Sequence, residues 1–194
     1  MPNWCENKLI IRGKKEDLVN FLKKHYVVAN QSHYEDYLDF NTIIPEPSTK
    51  EECDSEYVLP TPKVHVIGVA DDERSWFDWY SWHCNKWGTK WNSTNAFACE
   101  PEDILSENLT EITIWFDTAW SPCRPIIYRL IIMYPELLFE YKYFEPGMLF
   151  GGFISYDDEH IYYEHYIEDF EELKQFSIDE CFMCAEYYDE MEVD

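Results

Sequence analysis

The spacing of apolar and polar positions along the chain predicts a series of short amphipathic elements. Lys8 to Arg12 sets Leu9 and Ile11 on one face of a strand that Gly13 ends. From Glu16 to Tyr26 the residues Leu18, Phe21, Leu22 and Tyr26 recur at helical intervals. Lys23 and Lys24 fall in the last turns, where cations suit the helix dipole. Tyr37 to Ile44 reads as a second strand, stopped by Pro45 and Pro47. Residues 45–73 mix Pro, Ser, Thr and acidic side chains around a short strand expected at Val64–Val69, the pattern of an insertion over the surface. Between Arg74 and Asn92 the residues Trp76, Trp79, Tyr80, His83 and Trp87 return to helical spacing, and Gly88 is placed to end that helix.

Glu111 to Asp117 alternates, with Ile112, Ile114 and Phe116 on one face and Thr113 and Trp115 on the other. Pro125 suits the first turn of a helix whose stripe is Ile127, Leu130, Ile131 and Tyr134, and Pro135 stops it. Leu137 to Phe144 is a strand. Phe153–Tyr156 and His160–Tyr166 form a hairpin joined at Asp157–Glu159, and Asp169 to Phe176 predicts a short helix. This order predicts an α+β fold, a ferredoxin-like split βαβ sandwich with two helices on one face of an antiparallel sheet. It adds a Trp-rich helical insertion and a C-terminal β-hairpin with an acidic helix and tail. The expected organisation is a domain over residues 1–166, interrupted at about 45–110, followed by an acidic segment over 167–194.

Charge changes this picture more than composition does. The 194 residues carry 15 Lys and Arg against 39 Asp and Glu, a net of −24, yet 46% are hydrophobic and 18% aromatic, enough for a real core. Direct binding to nucleic acid or to an anionic membrane is not expected, since both need Lys and Arg against phosphates. No apolar run approaches the roughly 20 residues that span a bilayer. The seven cysteines are odd in number and scattered, which fits reduced thiols in a cytoplasm. The first 50 residues are neutral, the next 100 carry −10, and the last 44 carry −14.

Four separated stretches stand out: Met-Pro-Asn-Trp-Cys-Glu-Asn at the N-terminus, Trp82-His83-Cys84-Asn85-Lys86-Trp87-Gly88-Thr89-Lys90-Trp91-Asn92, Thr118-Ala119-Trp120-Ser121-Pro122, and Phe144-Glu145-Pro146-Gly147-Met148. Together they resemble the YubB ferredoxin-like family of phage- and plasmid-encoded proteins, in collinear order over roughly residues 1–166. The resemblance implies the fold and an origin in a mobile element. The family is of unknown function, so no catalytic residue carries over.

The candidate chemistry is sparse. Carboxylate pairs such as Asp71-Asp72 and Glu171-Glu172 are too plentiful for any one to mark a site, and no calcium loop, phosphate loop or nucleophile elbow is present. Adjacent His83 and Cys84 point about 100° apart on a helix and do not face each other. Cys181 and Cys184 have a metal-binding spacing, but no second pair accompanies them, and Asp179, Glu180 and Glu186 would raise their thiol pKa. Packing in a tail helix is the plainer expectation, with a metal-binding module as an alternative. No cofactor is expected.

The expected function is therefore that of a non-enzymatic interaction protein docking on a basic, nucleic-acid-binding host protein, with a DNA-mimicking inhibitor of a defence nuclease as its sharpest form. A compact chain of this length is about 42 Å across, and duplex DNA of that length carries about 25 charges, close to the protein's own total. Asp157, Asp158, Glu159, Glu164, Glu168, Asp169, Glu171 and Glu172 are the expected phosphate surrogates, with Trp82, Trp87 and Trp91 as aromatic anchors. The alternative is an enzyme or small-molecule binder with a pocket around Trp82, His83 and Trp91. Packing of the tryptophans into the core is the plainer reading of the same segment.

Overall fold

A computed structural model describes residues 3–29, 34–47, 78–98, 106, 108–156 and 162–182. Strand β1 (Trp4–Arg12) leads into helix α1 (Lys15–His25), and two two-residue strands, β2 (Tyr26–Val27) and β3 (Tyr37–Leu38), pair with each other. Helix α2 (Trp79–Lys86) precedes β4 (Thr94–Phe97) and β5 (Glu111–Ala119). Then come α3 (Arg124–Met133), β6 (Leu138–Glu145), β7 (Phe150–Tyr156), β8 (Tyr162–Ile167) and α4 (Phe170–Asp179).

The main sheet has the order β4-β5-β1-β6-β7-β8, every neighbouring pair antiparallel. Its β4-β5-β1-β6 part is the split βαβ arrangement. β5 separates β1 from β4 and β1 separates β5 from β6, with α1 and α3 in the respective crossovers. The expected ferredoxin-like fold is present, with the β7–β8 hairpin added at one edge.

One expected strand is corrected. Tyr37 to Ile44 is not the return strand of the first unit: only Tyr37–Leu38 is extended, and a 3-10 turn follows at Phe40–Thr42. Asp39 caps that turn by accepting from Asn41 N, while Phe40, Ile43 and Ile44 drop into the core. The sheet strand is β4, whose buried positions are Ala96 and, just beyond it, Ala98, with Phe97 57% exposed. The strand expected at Val64–Val69 and the hairpin turn expected at Asp157–Glu159 lie outside the described residues.

The core fills one face. Leu9 and Ile11 of β1, Ile112, Ile114 and Phe116 of β5, and Phe139 and Tyr141 of β6 meet Leu18, Phe21 and Leu22 of α1 and Ile126, Ile127 and Leu130 of α3. The opposite face is covered in part by α4. Leu173 and Phe182 pack on Phe144 and Ile167, and Phe182 meets the Trp115 ring edge-on at 5.5 Å. The acidic helix therefore packs on the sheet and does not extend from it. Glu180 anchors its end by accepting from Lys8 Nζ at 3.1 Å and Lys142 Nζ at 2.7 Å.

Candidate functional site

Helix α2 begins at Asp78, whose carboxylate accepts from the backbone N–H groups of Tyr80 and Ser81, and ends at Gly88, φ +82°. A side chain at Gly88 would meet Pro125 Cδ at 2.7 Å and the Pro122 carbonyl at 3.0 Å, so the turn needs glycine both for its backbone and for its closeness to α3. Trp82, His83 and Trp87 are buried. The Trp87 indole donates to the Ile44 carbonyl at 2.8 Å, its edge faces Phe40 at 5.8 Å, and the His83 ring stacks on it at 3.9 Å. His83 is held from both ends, by Glu46 Oε1 at 2.6 Å and the Lys90 carbonyl at 2.8 Å.

These contacts correct two expected anchors. Trp82 and Trp87 are core side chains and present no surface to a partner, and of the rings expected to line a small-molecule pocket Trp82 and His83 are buried against each other and against Trp87. Trp91 alone of the three is exposed, at 37%, with the Lys90 ammonium 4.4 Å from its ring centre.

The expected acidic residues do not share one face. Glu164 turns toward α3, where it pairs with Arg124 and accepts from Tyr128 Oη at 2.8 Å. Glu168, Asp169, Glu171 and Glu172 gather at the start of α4 and are exposed. Within that group Asp169 caps the helix through Glu172 N, and Glu172 accepts from His165 Nε2 at 3.1 Å. Asp157, Asp158 and Glu159 lie outside the described residues, as does Cys184. Cys181 is exposed in a left-handed turn after α4 has ended, φ +64°, which corrects its expected place in a tail helix. Among the described residues no group of three or more His, Cys, Asp or Glu side chains is set to hold a metal ion.

The four unusual sequence stretches converge at one end of the sheet. Trp4 pairs with Ala119, and Glu6 pairs with Asp117 on one side and Phe144 on the other. Trp120 N donates to the Asn3 carbonyl, Thr89 Oγ1 to the Ala119 carbonyl, and Ser121 Oγ to the Gly88 carbonyl. The buried Glu145 carboxylate accepts from Gly147 N at 3.1 Å and Met148 N at 2.5 Å, which shapes the turn after β6. Beneath lies a buried network. Asn7 Nδ2 donates to the Cys5 and Phe116 carbonyls and Thr118 Oγ1, and Tyr141 Oη donates to Asn7 Oδ1 while accepting from Cys123 N.

On the α4 side of this end, between the edge strand and the ground that α4 covers, the sheet is open as a groove of about 300 Å³. Trp4 and Trp115 stand on it with Glu6, Asp117 and Asn95 between them. Strand alternation puts Trp4 and Glu6 on this face, and the antiparallel register brings Asp117 opposite Glu6. Burial and the Asp117 charge push the Glu6 carboxyl up to about 7. Asp117 is raised by burial and by Glu35, against a hydrogen bond from Asn95 Nδ2 at 2.9 Å. Trp91 extends the Trp4 wall, with ring centres 6.3 Å apart. Only the placement of Trp115 on the face away from the core hints at this groove in the sequence, because its β1 members are separated from Asn95, Trp115 and Asp117 by about ninety residues or more of chain and meet them only through the sheet.

Residues 86–182, half of the chain, match a family described as the ferredoxin-like domain in Api92-like protein. The match begins at the end of α2 and runs through α4 to Phe182, so it includes Trp115 and Asp117 but not Trp4 or Glu6. No curated protein and no solved structure matches the chain.

Proposed function

The chain belongs to the family of the ferredoxin-like domain in Api92-like proteins, and we propose that it works as a non-enzymatic interaction protein that docks an acidic surface on a basic, nucleic-acid-binding protein. The observation that carries this is the net charge of −24 on a chain with a fully formed core. Self-repulsion of that size is a cost to folding, and it favours fast, salt-sensitive association with a cationic partner. In its sharper form the acidic side chains stand in for DNA phosphates before a defence nuclease; the near-equality of the protein's charge with that of duplex DNA of the same length supports this form. The resemblance of the four sequence stretches to the YubB family supports an origin in a phage or plasmid, and the scattered cysteines support action in the cytoplasm.

A pull-down from host lysate tests the proposal. Basic nucleic-acid-binding proteins should be retained at about 50 mM salt and released by about 500 mM, as screening shortens the reach of surface charge. Partners that are not basic, or retention that ignores salt over this range, would overturn it.

A further inference from the structure

Resting on that docking reading, we infer that the groove between Trp4 and Trp115 receives a single guanidinium side chain, an arginine of the partner, over the Glu6 and Asp117 carboxylates. Two indoles beside two carboxylates match this group in both shape and charge. A guanidinium is planar, stacks on aromatic faces, and carries a fork of donors that fits carboxylate oxygens. Among the described residues neither carboxylate takes part in a salt bridge, and the Glu6 carboxylate accepts no hydrogen bond; Asp117 accepts one, from the neutral Asn95 amide.

The adjoining position of the same two strands already holds the corresponding arrangement with an internal cation. Lys8, paired with Trp115 across β1 and β5, sets its ammonium 4.9 Å from the Trp115 ring centre and 3.1 Å from Glu180. One step along, at the Glu6–Asp117 pair, no Lys or Arg among the described residues pairs with either carboxylate. A proton partly takes the place of a cation, since Glu6 stays protonated up to about pH 7, and an arriving cation displaces it. The segment that follows Phe182 does not suit the groove, because residues 183–194 contain five acidic side chains and no Lys or Arg. The paired indoles favour an organic cation over a metal ion, which gains nothing from an aromatic wall.

The full-length protein, labelled at its indole nitrogens, is titrated with argininamide at about 50 mM salt and followed by NMR. Trp4 and Trp115 should shift on saturation, lysinamide should bind more weakly, and Glu6→Gln or Asp117→Asn should each weaken argininamide about threefold or more. Glu171→Gln, on exposed α4, should change nothing. Both neutralising variants relieve like-charge repulsion, so they keep the fold, and a thermal melt checks this. Indoles that do not move would overturn the inference, whether the groove stays empty or another segment of this chain fills it. A larger response of the same indoles to Mg²⁺ or Ca²⁺ would overturn it in favour of a metal site. A hexa-arginine peptide separates the two readings. If it binds wild type and both variants equally and in a salt-dependent way, the groove falls while docking stands; if it binds none of them, the docking reading itself falls.

Discussion

Glu6 and His25 pull stability in opposite directions across nearly the same range of pH. His25 is fully buried between Thr42 Oγ1, 2.5 Å from Nδ1, and Tyr134 Oη, 2.6 Å from Nε2. Thr42 donates its own proton to the Asp39 carbonyl, so Nδ1–H donates to Thr42 and Nε2 accepts from Tyr134, a neutral ring. Burial, with the charge of Lys24, pushes His25 down to about 4 from an ordinary 6.5, so the unfolded chain takes up the proton first and stability falls as pH drops from 6.5 toward 4. Glu6 is the reverse. Its carboxyl ionises near 7 when folded and near 4.5 when unfolded, so stability falls as pH rises through that window. Glu6→Gln should therefore match wild type at about pH 4 and, with solvent screening of this half-buried group cutting the gain to about 1 kcal/mol, melt about 2–4 °C higher at about pH 8. A gap of the same size at both values in thermal melts would show that Glu6 ionises normally. Tyr141 makes a second test: Tyr141→Phe leaves Asn7 Oδ1 and Cys123 N without their hydroxyl partner in a closed interior. The expected cost is about 1–3 kcal/mol in urea unfolding, and an unchanged midpoint would mean that the network adds nothing.

At the scale of elements, legibility followed how much of each element's energy came from its own stripe. Helices α1 and α3 and strands β1, β5 and β6 bury one face against one core, and their periodicity reports it: Leu18, Phe21 and Leu22, or Ile112, Ile114 and Phe116, are the positions the structure covers. β4 is silent in the hydrophobic pattern because its buried residues are alanines while its phenylalanine faces out, the inverse of what hydrophobicity weights. Phe40, Ile43 and Ile44 read as strand in sequence because an apolar run looks alike whether a ladder or a 3-10 turn delivers it to the core. The groove was hidden for another reason: Glu6 and Asp117 become neighbours only through the β1–β5 register, which no local pattern encodes. In the α2 segment Trp82 and Trp87 are in the core while Trp79 and Trp91 are exposed, and this separates two substitutions. Trp87→Ala, which empties the space under Phe40 and His83, should cost about 3–5 kcal/mol, whereas Trp91→Ala at the exposed rim should cost under about 1 kcal/mol. Equal losses in urea unfolding would place Trp91 in the core as well.

At the scale of the whole molecule, the excess of carboxylates sets two salt dependences of opposite sign. Several cations are already paired with carboxylates of the same chain: Lys8 and Lys142 with Glu180, Arg12 with Glu111 and Glu140, Arg124 with Glu164. What remains is mostly negative, and among the described residues it includes the exposed start of α4 and the Glu6–Asp117 groove. Such a surface repels itself, so screening should help the fold. Raising NaCl from about 50 to 500 mM, which shortens the Debye length from roughly 14 to 4 Å, should raise the melting temperature while it weakens binding to a basic partner. The two slopes separate a surface shaped for a partner from one that is merely soluble. Repulsion alone predicts stabilisation by salt whatever the protein binds, but loss of the partner over the same range requires that the charge forms part of the contact. A melting temperature that falls with added salt would mean that the internal ion pairs outweigh the repulsion, and the premise that unpaired negative charge dominates this surface would fail.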